Sequence, residues 1–176
     1  MSTRPCVFLL CGPSLAGKST ACRSLVEAFG ALVISADLIN EARGLPFGGE
    51  GLPESIWAET LAIELEQLRR FAVEGRSVVV DDTHCYRWLR DRFRLELDAV
   101  GLSPVLLVFD PGREVLMSRL TTLRADRSRP VLSPQRFLEH LDTFEWPTAD
   151  EGAINVTTPE SLNHWIAHQV LLSKSS

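Results

Sequence analysis

Residues 12 to 20 read Gly12-Pro13-Ser14-Leu15-Ala16-Gly17-Lys18-Ser19-Thr20, and the stretch from Gly12 to Ser19 completes the G-x-x-x-x-G-K-[ST] pattern of a phosphate-binding loop. The glycines let the backbone curl so that successive N–H groups point at a phosphate. Lys18 then reaches the β- and γ-phosphates, and the Ser19 hydroxyl ligates Mg²⁺. The loop implies a nucleoside triphosphate site over Gly12 to Thr20, with ATP and Mg²⁺ as its expected ligands.

Three further polar groups stand where a nucleotide-dependent transfer would need them. Ser35-Ala36-Asp37 follows an apolar run, and a carboxylate there can accept a proton from an attacking hydroxyl; it can equally cap a short helix beginning at Leu38. Asp81-Asp82-Thr83 follows Val78-Val79-Val80, and a carboxylate at the end of an apolar strand holds Mg²⁺ opposite the loop serine. Strand side chains alternate, so one of the two aspartates faces the nucleotide: Asp81 is the expected metal ligand, with Ser19, and Asp82 the expected cap of a helix starting near Cys85 or Tyr86. Arg119, Arg124, Arg127 and Arg129 fall close together, where guanidiniums can close over a triphosphate as a lid spanning about residues 124–133. Arg127, mid-loop, is the expected catalytic arginine, and Arg119 and Arg124, on a helix, are expected to grip the nucleotide. The alternative is a solvated charged face. A second run, Arg87, Arg90, Arg92 and Arg94, reads as the outer face of a helix or as a nucleic-acid footprint.

The elements that must position these groups alternate between strand and helix. Cys6 to Cys11 is a continuous apolar run, as a central parallel strand requires, and Cys22, Leu25, Val26 and Phe29 then mark one stripe of a helix closed by Gly30. Ala31–Ile34, Val78–Val80, Val105–Phe109 and a weak Ala153–Val156 supply further strands. Between them, helices are expected at Leu38–Arg43, at Glu54–Glu74 with Trp57, Leu61, Leu65, Leu68 and Ala72 on one face, around Leu89, Phe93, Leu97 and Val100, and over Glu114–Leu123. Ser133-Pro134 and Thr158-Pro159 each read as an N-cap followed by a first-turn proline. Gly44 to Pro53 is a loop; with Phe47, and with Trp57 beside it, it is either an apolar wall for a small ligand or a plain surface connection.

With 176 residues and 45% hydrophobic content the chain can bury one good core, so a single domain over 1–176 is expected. No apolar stretch approaches the roughly 18 residues of a membrane span, so a cytoplasmic protein without a membrane partner is expected. Cys6, Cys11, Cys22 and Cys85 form no C-x-x-C pair and read as reduced thiols rather than metal ligands or disulfides. A net charge of -5 gives no general attraction to nucleic acid and favours a small acceptor.

Gly12–Thr20, Val33–Asp37, Gly75–Thr83, Arg119–Arg129 and Phe144–Gly152 together resemble the small P-loop kinases of the polynucleotide kinase, zeta toxin and chloramphenicol phosphotransferase type, AAA-like ATP-binding kinases. The resemblance spans nearly the whole chain. It implies an α/β P-loop NTPase three-layer sandwich whose five-stranded parallel sheet has the order 2-3-1-4-5, with helices on both faces. It also implies Asp37 as the base that activates the acceptor and lid arginines that hold the phosphates. One departure is Asn40, where polynucleotide kinases carry an arginine for the acceptor strand; Arg43, one turn on, is the available substitute. Another is His84, where many relatives have asparagine, which either touches the acceptor or packs. The expected activity is transfer of the γ-phosphate of ATP to a hydroxyl of a small molecule. The alternatives are a polynucleotide 5′-hydroxyl kinase and a non-enzymatic nucleotide-dependent switch or ATPase module.

Overall fold

Short runs rich in valine and leucine form the strands of the computed structural model, which describes residues 5–46, 51–126 and 131–174. In chain order the elements are β1 (Val7–Cys11), α1 (Lys18–Phe29), β2 (Leu32–Ile34), α2 (Ala36–Ala42), α3 (Glu54–Val73), β3 (Val78–Val80), α4 (Arg87–Asp98), β4 (Val105–Val108), α5 (Arg113–Asp126), α6 (Pro134–Asp142), a 3-10 turn (Ala149–Glu151), β5 (Ile154–Asn155) and α7 (Pro159–Lys174). The strands make one five-stranded sheet of order β2-β3-β1-β4-β5, and every pairing is parallel. Leu9 of β1 stands opposite Val80 on one side and Leu106 on the other. This is the P-loop NTPase arrangement.

Side-chain alternation along β1 divides the core in two. Val7, Leu9 and Cys11 pack with Leu65, Leu68 and Ala72 of α3 and with Phe93 and Leu97 of α4. Phe8 and Leu10 point the other way, toward Leu25 of α1, Leu116 and Leu120 of α5 and Ile166 of α7. All five β1 residues are buried, so a strand between two helical layers must be apolar throughout. Each large core side chain contributes about 1.5–3 kcal/mol by its removal from water.

Local signals set the ends of the helices. Gly30 adopts a left-handed φ of 59° and donates its N–H to the Val26 carbonyl, closing α1. Ser133 accepts from the Arg136 N–H, with Pro134 in the first turn of α6; Thr158 accepts from the Ser161 N–H at the start of α7. The α3 stripe differs from expectation. Leu65, Leu68 and Ala72 are buried, but Trp57 is 37% exposed, and the stripe continues toward the N-terminus through Thr60 and Glu64. No helix among the described residues is long and apolar enough to cross a membrane. The four cysteines are free thiols.

Candidate active site

The phosphate loop leaves β1 and turns into α1 through residues whose backbone chemistry is specific. Gly17 takes φ 105° immediately before Lys18, a conformation that side chains oppose. At Gly12 the limit is space: a Cβ there would lie 2.5 Å from the Phe109 carbonyl oxygen. The Gly12 N–H donates to the Thr83 carbonyl at 3.0 Å, fixing the start of the loop to the segment after β3. Lys18 is buried, and its ammonium donates to the Gly12 and Pro13 carbonyls at 2.8 and 2.9 Å. Burial lowers the Lys18 pKa, and Asp81, Asp82 and Asp37 oppose that shift by favouring its charged form.

Carboxylates from the ends of two strands thus surround one ammonium. Asp81 hydrogen-bonds the Ser19 side chain; burial pushes its carboxyl above the usual aspartate value, against the pull of Lys18 and Ser19. A hydroxyl and a carboxylate facing each other in this way form the oxygen donor set suited to a hard divalent cation. Asp82 accepts the Thr83 N–H at 2.6 Å and does not cap α4, contrary to expectation. That helix starts at Arg87, one or two residues later than expected, and the Arg87 N–H is met by the Glu145 carboxylate at 2.7 Å. The capping role considered for Asp37 is also overturned. Ser35 is the N-cap of α2, accepting from Leu38, and Asp37 lies exposed in the first turn, where a negative charge suits the helix dipole.

The two arginine runs part company here. Arg119 reaches from α5 to donate to the Leu15 carbonyl of the phosphate loop at 2.7 Å, and Arg124 is exposed in the last turn of the same helix. Arg127 and Arg129 lie outside the described residues. On α4, by contrast, Arg90 does not decorate an outer face. It is fully buried, pairs with both Glu151 oxygens at 2.7 and 2.8 Å, and donates to the His84 and Glu145 carbonyls. Arg94 also binds Glu151, and Arg87 binds Asp150 and Thr148.

Several polar residues lie buried or half-buried beside the site, and two of them, Thr60 and Glu64, escaped the sequence reading. Asn40 is 1% exposed; its Oδ1 accepts from the Thr60 hydroxyl at 2.6 Å, while its Nδ2 has no partner among the described residues. Glu64, one helical turn past Thr60, is 2% exposed with Oε1 unpartnered among the described residues. Burial, then the Asp82 and Asp37 charges, push its carboxyl well above the ordinary glutamate value. Arg43 donates to Thr60 at 2.7 Å and to Glu59, so its guanidinium is engaged at the α2–α3 seam. His84 is fully buried in a left-handed backbone conformation, φ 44°. Its Nδ1 lies 2.7 Å from the Leu10 carbonyl, which can only accept, so Nδ1 carries the proton. The ring packs edge-on against Phe93, which gives the histidine a packing role.

Solved structures of similar architecture include a sugar kinase from Janibacter sp. HTCC2649 (21% identity, 95% of this chain and 94% of that chain covered, TM-score 0.68). A gluconokinase from Sinorhizobium meliloti 1021 shares 21% identity over 99% and 97% of the two chains, with a TM-score of 0.66. The Mycobacterium tuberculosis APS kinase, in complex with AMPPNP and APS, shares 19% identity over 98% and 99%, with a TM-score of 0.64. These likenesses establish the shared fold. No curated protein matches the chain. The family model described as AAA domain (AAA_33) matches residues 7–145, a span that holds the complete phosphate loop, Asp81 and the first four strands of the parallel sheet, and the chain belongs to this AAA domain family.

Proposed function

We propose that the chain is an ATP- and Mg²⁺-dependent phosphotransferase that moves the γ-phosphate to a hydroxyl of a small molecule. The observation that carries this reading is the complete phosphate loop, with a buried Lys18 that feels the charges of Asp81, Asp82 and Asp37 and a Ser19 that hydrogen-bonds Asp81. The similar structures named as a sugar kinase, a gluconokinase and an APS kinase support it.

In this reading the loop N–H groups and Lys18 bind the triphosphate and stabilise the charge that develops on the transferring phosphoryl group. Asp37 accepts the proton of the acceptor hydroxyl as its oxygen bonds to the γ-phosphorus, and the bond from that phosphorus to the β–γ bridging oxygen breaks to release ADP. Ser19 and Asp81 would hold Mg²⁺, which draws charge from the phosphate oxygens. Arg119, already on the loop, and Arg124 complete the nucleotide grip. Nucleic acid is the less favoured acceptor, because Arg87, Arg90 and Arg94 are engaged by acidic and backbone partners and Arg43 by Glu59 and Thr60.

The test is transfer from radiolabelled ATP to a panel of polyols, sugars, nucleosides and hydroxylated antibiotics beside 5′-hydroxyl oligonucleotides. Asp37→Asn is expected to keep nucleotide affinity by calorimetry and lose about 10² to 10⁴ in kcat. Unimpaired turnover would remove Asp37 from the mechanism, and rapid, salt-sensitive labelling of oligonucleotides would replace the small acceptor with a nucleic-acid end.

A further inference from the structure

The seam between α2 and α3 holds two buried polar atoms without partners among the described residues, Asn40 Nδ2 and Glu64 Oε1. They are of opposite hydrogen-bonding kind, an amide donor and a carboxyl oxygen. Thr60 lies between them: its hydroxyl donates to Asn40 Oδ1, and Glu64 follows it by four residues on the same face of α3. Buried polar groups are almost always satisfied, so two orphans on one seam mark a place where a hydroxylated ligand completes the bonding. The charge there is one-sided. Glu64 senses both Asp82 and Asp37, and the cation of the seam, Arg43, is neutralised by Glu59.

We propose that the acceptor is a polyhydroxyl compound without negative charge, neutral or amine-bearing, and that Asn40 Nδ2 and Glu64 Oε1 bind two of its hydroxyls while a third faces Asp37. This rests on the phosphotransferase reading and adds the acceptor's class to it. A sugar acid, a sulfated or phosphorylated alcohol, or a nucleic-acid end would bring its anion against Asp37 and Asp82. An ammonium group on the acceptor would be drawn to the same two.

The experiment compares acceptors matched in size: a neutral sugar alcohol, an amino sugar and the corresponding sugar acid, each with ATP and the full chain. Transfer to the neutral or amine-bearing polyol is expected to exceed transfer to the sugar acid by about 10²-fold in kcat/KM, as a site that leaves an ion unpaired discriminates. Glu64→Gln and Asn40→Ala are each expected to raise the acceptor KM about tenfold with nucleotide affinity held, a split that a purely structural role would not give. Thermal melting of both variants separates loss of fold from loss of binding. Fastest transfer to the sugar acid, an unchanged acceptor KM in both folded variants, or intact ATP binding with transfer to none of the polyols overturns the acceptor assignment. Failure of the wild type to bind ATP at all instead overturns the phosphotransferase reading beneath it.

Discussion

Arg90 and Arg119 both belong to arginine-rich helical stretches, yet one is sealed and the other stands over the phosphate loop. Arg90 meets a carboxylate and two carbonyls and is inaccessible to any ligand. Arg119 is exposed, and its one bond among the described residues is to the Leu15 carbonyl of the loop. The difference teaches that a run of positive charge acquires meaning only from its partners. Glu145, Asp150 and Glu151, some sixty positions further along the chain, convert the α4 run into a clamp. Arg119 of α5 is left on the phosphate loop.

The sharpest break of that comparison is Arg90→Ala, which strands Glu151 in a buried site and is expected to cost about 3–5 kcal/mol by denaturant unfolding. A loss within 1 kcal/mol of zero would mean that water replaces the pair. Arg90→Met with Glu151→Leu should recover only part of the loss, because the His84 and Glu145 carbonyls stay unpaired. The pair also sets a pH dependence. Burial alone would raise the Glu151 carboxyl, but the Arg90, Thr148 and Arg94 bonds hold it down to about 2, below the ordinary glutamate value. Its contribution is therefore complete above about pH 4.5 and is lost as pH falls toward 2. In Glu151→Gln that acid-dependent loss should disappear from the unfolding curve.

On the functional side, Lys18→Ala is expected to reduce transfer by about 10²-fold or more while the protein stays folded, because it removes the buried cation of the loop. Arg119→Ala should weaken nucleotide binding about tenfold, read by calorimetry, with no change in the unfolding midpoint. An equal loss of stability would turn Arg119 into a second clamp. The smallest effect belongs to Arg87→Ala, whose ion pairs are exposed; its unfolding midpoint should match the wild type within error and its transfer rate should be unchanged.

The phosphate loop and its helix were readable in advance because each is a local pattern of fixed spacing next to an apolar run, whereas the strand order came from the resemblance to the small P-loop kinases. Strand alternation said that one of Asp81 and Asp82 faces the loop, and Asp81, the first after the apolar run, is the one that hydrogen-bonds Ser19. The caps were harder, since Ser35 and Asp37 both offer a short acceptor near the start of α2 and only the backbone decides between them. Arg90 carried a signal that was overlooked. It lies three residues before Phe93 and seven before Leu97, on the buried stripe, and a cation there demands an acid from elsewhere. Glu64, between Thr60 and Leu68 on the buried face of α3, called for the same reasoning. A count of apolar residues at helical spacing passes over polar groups buried in a seam.

The sheet ends at β2 on one side and β5 on the other, strands of three and two residues. A partner strand adding to either border would find two or three backbone positions to pair with, against the five or six of an ordinary strand. Brevity at both borders thus shields a valine- and leucine-rich sheet from growing into its neighbours, so that concentrated solutions of the folded chain should resist fibrous self-association without any charge placed at the edge for that purpose.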